Sequence, residues 1–177
     1  MNFFEYYYKS VVKYDLINKF NYINTKQLPE IKKIVLYFSF KKVNINVLIS
    51  ALLALQLLSM KNGKVLKAKN FNTSLKIRKG QPIGCKVLLM KNHMYFFLYK
   101  LLTDIKNLEP NCTSKTATLS FTIGNLMQFT ELQQNYKVFK DLLKLNISCV
   151  TTAKTFNEFI FLIKSFKINI KKLSLQM

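Results

Sequence analysis

A formal charge of +20, from twenty-eight lysines and arginines against eight aspartates and glutamates, is the feature that most limits how this chain can fold. A compact fold with that surplus repels itself unless counter-charge lies close by. Half of the residues are nonetheless hydrophobic and 14% are aromatic, which gives the chain the apolar surface that a disordered basic tail lacks. A core and a basic exterior must coexist, and such an exterior calls for a polyanion. Nucleic acid and an anionic membrane surface are the two common candidates. At 177 residues the sequence suits one domain, 1–177, able to bury a core without disulfides.

Arg78 is the only arginine; lysine, asparagine, isoleucine, phenylalanine and tyrosine abound, and tryptophan is absent. This bias fits an AT-rich coding genome such as an organelle's, although an AT-rich nucleus or bacterium would produce the same one. Cys85, Cys112 and Cys149 are widely spaced, with no CxxC pair and with His93 as the single imidazole. Neither a zinc site nor a disulfide framework is expected from them, and buried free thiols in a reducing interior are the plainer reading. Met1 to Tyr8 carries Glu5 and lacks the apolar stretch of an export signal. The longest apolar run, Val47 to Leu58, includes Ser50 and Gln56 and falls short of the about 20 residues that span a bilayer. It predicts a buried helix, without membrane insertion.

Tyr8, Val11, Val12, Leu16 and Phe20 recur at helical spacing and predict an opening helix with Lys9, Lys13 and Lys19 turned outward. Ile34, Leu36, Phe38 and Phe40 alternate as in a strand whose other face, with Val35 and Tyr37, is also apolar. Asn44 or Asn46 can cap the apolar helix, which ends near Met60, and Lys61, Asn62 and Gly63 turn into a short strand from Val65 to Lys69. A lysine-flanked loop from Asn70 to Pro82 leads to a strand from Cys85 to Met90. Beyond Asn92, an amphipathic helix through Met94, Phe97, Leu98, Leu101, Leu102 and Ile105 is stopped by Glu109, Pro110 and Asn111. Ala117 to Ile123 alternates cleanly, and Gly124 with Asn125 predicts a hairpin turn into a strand over Leu126 to Thr130. Glu131 to Leu145 reads as helix or loop, Leu145 to Thr151 as a strand, and Thr155 with Glu158 as the capping box of a final helix. The fold class is α+β, an antiparallel-rich sheet with helices on one face.

The carboxylates Glu5, Asp15, Glu30, Asp104, Glu109, Glu131, Asp141 and Glu158 form no near pair, and His93 opens a helix, where a surface role is the simpler account. No catalytic residue, metal or cofactor is expected. The loop Lys79 to Gly84 matches neither phosphate-cradling nor dinucleotide spacing, but Lys76, Arg78, Lys79 and Lys86 flank its glycines and suit a phosphate backbone as well as plain solvent. Aromatics in Phe3 to Tyr8 and Tyr95 to Tyr99 could stack on bases, although most fall on helical core faces.

The order of segments resembles the large-subunit ribosomal protein five family. Tyr7, Tyr8, Lys9, Val11 and Val12, then Phe20 to Tyr22 and Leu28 to Leu36 (LPEIKKIVL), are similar to that family's first helix and first strand. Lys76 to Val87 (KIRKGQPIGCKV) is similar to its signature, and Val150 to Thr155 (VTTAKT) to its last strand and entry to the last helix. The resemblance covers about Tyr7 to Phe166. It implies an α+β fold with helices packed on a curved sheet, no catalytic activity, and a place in the central protuberance of the large ribosomal subunit, here in the mitochondrial matrix. The implied partners are large-subunit ribosomal RNA, peptidyl-site tRNA, a small-subunit head protein and other central protuberance proteins. By position, the family's tRNA-facing loop resembles Asn70 to Lys79. The expected RNA contacts are therefore Lys61, Lys67, Lys69, Asn70, Asn72, Thr73, Ser74, Lys76, Arg78, Lys79, Gln81 and Lys86.

The sequence also departs from the family. Tyr37, Phe38, Ser39 and Phe40 replace a glycine-bearing segment after the first strand. Lys61 replaces a glutamine, and Leu88 and Met90 replace a threonine and an arginine. These positions belong to the face that the family turns to five-S RNA, so binding of that RNA is loosened or lost, unless lysines such as Lys61 compensate. The family's glycine-rich hairpin is shortened between Phe121 and Glu131, with only Gly124 left. Two other classes compete: a basic peripheral membrane-associated protein, which would bind liposomes in a salt-sensitive way without RNA, and an RNA-modifying enzyme, which would need a clustered acid, base or metal site.

Overall fold

A computed structural model of the chain describes residues 3–40, 44–105, 111–113, 117–142 and 144–168. The opening helix runs through α1 (Phe3–Tyr7), a π turn (Tyr8–Val12) and α2 (Lys13–Lys19). Its wider winding puts Tyr8, Val12 and Leu16, four residues apart, on the buried face, while Val11 is exposed rather than part of the core stripe. The Tyr8 hydroxyl donates to the Pro29 carbonyl at 3.1 Å and ties this helix to the entry of the first strand.

β1 (Ile31–Ser39) leads to α3 (Ile45–Ser59), β2 (Lys64–Lys67), β3 (Pro82–Leu89) and α4 (Lys91–Asp104). Asn44 occupies the cap position of α3 without a side-chain cap bond, and Met60, in the left-handed region at φ 52°, ends that helix. β4 (Asn111–Thr113) and β5 (Thr118–Ile123) precede α5 (Thr130–Gln134) and α6 (Tyr136–Phe139). The chain closes with β6 (Leu145–Thr151) and α7 (Phe156–Ser165), which has the expected capping box of Thr155 and Glu158. Glu109, Pro110 and the side chain of Cys112 lie outside the described residues.

The strands form a six-stranded sheet, β2-β3-β1-β6-β5-β4, with antiparallel pairing at each junction. Alternation decides its two faces. Ile34, Leu36 and Phe38 of β1, Val87 and Leu89 of β3, and Leu145 and Ile147 of β6 are buried, in one cluster with Leu55 of α3, Phe97 of α4 and Phe159 of α7. This is the α+β arrangement that the alternation predicts, with the helices' apolar stripes on one side of the sheet.

The predicted hairpin at Gly124 does not form. Asn125 Oδ1 accepts from the Met127 N–H at 3.0 Å and starts a 3-10 turn, Leu126–Gln128, as asparagine side chains do at turns. Leu126, Phe129 and Leu132 then follow at three-residue spacing and are all buried, so the segment packs as helical turns. β5 already has a neighbour on each side, β6 and β4. The open segment Glu131 to Leu145 resolves mainly into α5 and α6.

Gly84, read from sequence as part of a flexible loop, stands inside β3 opposite Ser39, where a Cβ would collide with the Phe38 carbonyl oxygen. Lys100 of α4, only 7% exposed, pairs with Glu131 of α5 and approaches the Leu57 carbonyl of α3 at 3.4 Å, joining three helices. Gly84→Ala is expected to lower stability by about 1–3 kcal/mol through overpacking, read as a lower denaturant midpoint. An unchanged midpoint would contradict the close approach of β1 and β3.

Candidate RNA interface

Past the strand bounds, β2 and β3 continue as a braced hairpin. The Ala68 N–H donates to Gln81 O and the Gly80 N–H to Ala68 O, each at 2.9 Å, and Asn72 and Ile77 exchange backbone hydrogen bonds of 3.0 Å. At the tip, the Lys76 N–H meets the Thr73 carbonyl at 3.1 Å and Asn72 Oδ1 accepts from the Leu75 N–H at 3.2 Å. Gln81 Oε1 accepts from the Arg78 N–H at 3.1 Å. Gly80 takes φ 83°, and nothing would touch a Cβ there, so this glycine serves backbone conformation alone. The segment read as a loop is thus an ordered projection.

The hairpin gathers Lys67, Lys69, Asn70, Asn72, Thr73, Ser74, Lys76, Arg78, Lys79 and Gln81, all exposed. The ion pairs among the described residues are Lys9 with Glu5 and Lys100 with Glu131, so no described carboxylate pairs with the hairpin cations. The two remaining predicted residues sit apart, on the sheet. Lys86 projects from the face opposite the core, in register with Lys64 on one side and Tyr37 on the other. Lys61 Nζ donates to the Leu88 carbonyl at 3.1 Å.

This open face changes character across the sheet. Its β1 and β3 part pairs Val35 with Leu88 and Tyr37 with Lys86; its β5 and β6 part pairs Ser120 with Ser148 and Thr122 with Asn146. The Thr122 hydroxyl donates to Asn146 Oδ1 at 2.9 Å. The polar half was legible in the alternation of β5 but was absent from the predicted contacts. Phe71 and Leu75, 64% and 62% exposed on the hairpin, were missed as well. An apolar residue within a lysine-rich turn is the signal that marks them. Of the aromatics considered for stacking, Tyr8 and Tyr95 are buried, and Phe4 packs against Phe166 and Tyr99.

No group of three His, Cys, Asp or Glu side chains that could hold a metal occurs among the described residues, and no described helix is long and apolar enough to cross a membrane. Burial pushes the Cys149 thiol up to about 12. Burial likewise raises Cys85, to about 11, against an opposing hydrogen bond with the Phe38 backbone.

Residues 82–170 match the family model that describes the C-terminus of the ribosomal L5 protein family. Over 181 aligned positions, the chain is 35% identical to the large ribosomal subunit protein uL5m of Reclinomonas americana, covering 97% of this chain and 100% of that one. The chain belongs to the ribosomal L5 family. It is also 34% identical to the uL5 of Borrelia garinii, over 87% of this chain and 88% of that protein, and 31% identical to the uL5 of Blochmanniella floridana, over 93% and 90%. An L5 protein is a structural ribosomal component and not an enzyme, so the RNA-modifying reading falls away, and the resemblance read from the motifs stands. The family-model match begins at β3, whereas the alignment with the mitochondrial relative covers nearly the whole chain, leaving few positions unmatched.

Because folding raises both thiol pKa values, their contribution to stability is intact below the ordinary thiol range and is lost as pH climbs through about 11 and 12. Near pH 8 the Cys85 and Cys149 peptides should therefore resist alkylation in the folded protein and react on unfolding, as read by mass spectrometry. Equal labelling in both states would contradict their burial.

Proposed function

We propose that this protein holds large-subunit ribosomal RNA in the central protuberance through its unneutralised lysines, and that the hairpin from Ala68 to Gln81 lies against peptidyl-site tRNA. As an L5 protein it is a structural constituent of the large ribosomal subunit, and its full-length likeness to a uL5m assigns it to the mitochondrial ribosome. The observation that carries the finer reading is the cluster of Lys67, Lys69, Lys76, Arg78 and Lys79 on one projecting, hydrogen-bonded hairpin with no acidic partner among the described residues. Such a cluster suits phosphate, where contacts position a partner without reading its sequence. Phe71 and Leu75 add apolar surface that can pack on the bases or sugars of a folded RNA.

The same reading assigns the open sheet face to weakened five-S RNA contact. Val35, Tyr37 and Leu88 offer that RNA little beyond a phenol and apolar surface, so recognition there would fall to Lys64, Lys86 and the hydroxyls of β5 and β6. A small-subunit head protein and neighbouring central protuberance proteins complete the partners of this reading.

Replacing Lys76, Arg78 and Lys79 by alanine together should weaken binding to tRNA and to ribosomal RNA fragments alike. The slope of log affinity against log salt should become shallower by about 0.9 for each duplex phosphate that the variant no longer neutralises. An unchanged affinity and slope in the folded variant would remove the hairpin from the interface.

A further inference from the structure

α3 keeps large apolar side chains on the side that faces away from the core as well as on the buried one, with the exposed polar side chains of Asn46 and Gln56 among them. Ala51, Ala54, Leu55 and Leu58 are fully buried, yet Ile45, Ile49, Leu53 and Leu57 remain 75%, 50%, 45% and 40% exposed, and Met60 just past the helix is 64% exposed. Successive steps of four residues keep these side chains on one slowly winding stripe, about 18 Å long from Ile45 to Leu57 at the rise of an α-helix. From Ile45 to Ser59 the helix carries no charged residue, in a chain where 20% of residues are charged. α6 packs beside α3 and also leaves apolar side chains uncovered, Tyr136 and Val138 at 57% and 50% exposed. Large apolar side chains left exposed side by side, rather than scattered singly, mark an interaction site.

We propose that this stripe docks a second protein of the ribosomal particle, through a segment whose apolar face is bordered by aspartates and glutamates. The proposal rests on the protein's working inside that particle. Lysines that follow α3 in sequence or stand on and just after α6, the helix that contacts it, select the occupant. Lys61 follows Met60, and Lys137 and Lys140 stand exposed on and just after α6, with Asp141 the one carboxylate beside them in sequence. Glu131 is already taken by Lys100. RNA is a poor occupant, because the stripe offers phosphate no cation along four helical turns and can pair few base edges. A second copy is also poor, because a self-complementary contact would set these lysines against their own equivalents on two molecules of charge +20 each. An apolar segment edged with carboxylates meets both the stripe and the lysines of the neighbouring elements.

The test is a map of the native particle combined with zero-length carbodiimide coupling of lysines to carboxylates. The expected result is protein side chains in contact with Ile49 and Leu53, and Lys61, Lys137 or Lys140 joined to aspartate or glutamate of that protein. RNA, lipid, a second copy or bulk solvent over Leu53 would overturn the proposal. In reconstitution with the partner so identified, the full-length double variant Ile49→Lys with Leu53→Lys should keep its ribosomal RNA affinity and lose partner binding at least tenfold. Partner binding within twofold of the parent would overturn the proposal even if the variant folds normally. Loss of RNA affinity in the hairpin variant is a separate readout, so the two readings can fail independently.

Discussion

The molecule depends on a sheet that is sealed on one face only. Alternation along β1, β3, β5 and β6 sends Leu36, Val87, Phe121 and Ile147 into one core with the helices, and turns Tyr37, Lys86, Thr122 and Asn146 the other way. Because the helices satisfy the apolar face, lysine can accumulate elsewhere without entering the core. The exception is Lys100, whose buried ammonium meets Glu131 and the Leu57 carbonyl. Folding depresses the Glu131 pKa: burial alone would raise it, but the Lys100 bond and charge, with local hydrogen bonds, outweigh that effect. This contribution to stability is therefore present above the ordinary carboxylate range and is lost as pH falls through the depressed value.

Apart from Lys100 and from Lys9, which pairs with Glu5, no described lysine or arginine has a carboxylate partner, and that links fold to function. A chain with so few carboxylates is held back by its own field until phosphate replaces solvent around it. The hairpin beyond β2 and β3 carries part of that field away from the body of the protein, and its turn hydrogen bonds define the backbone from which the cations extend. The outer face of α3 has a different chemistry, largely apolar and uncharged, so the chain has two chemically distinct surfaces.

Much of this could be read from residues. The final strand was legible from Leu145 to Thr151, and the capping box named the start of α7, because both signals are local and no tertiary contact opposes them. The signature from Lys76 to Val87 marked the basic segment that leads into β3, but that segment was read as a loop, and its hairpin pairing shows only in the structure. The segment after Gly124 misled because a turn pair before apolar residues fits both a hairpin and a helical turn. The choice was made by a sheet neighbour far away in sequence and by the Asn125 side chain. Val11 was misplaced because a π turn shifts helical phase without leaving a mark in composition. The exposed stripe of α3 was hidden for a related reason: a helix with apolar residues on most of its sides reads as buried, and only the packed structure shows which side stays uncovered.

That this basic fold exists to hold ribosomal RNA is tested most directly by sedimenting the endogenous protein from mitochondrial lysate, with crosslinking to identify the bound RNA. Co-migration with the large subunit, crosslinks between the Arg78 region and RNA, and release as salt is raised are the expected results. Protein at the top of the gradient, with no affinity for ribosomal RNA even at low salt, would contradict them.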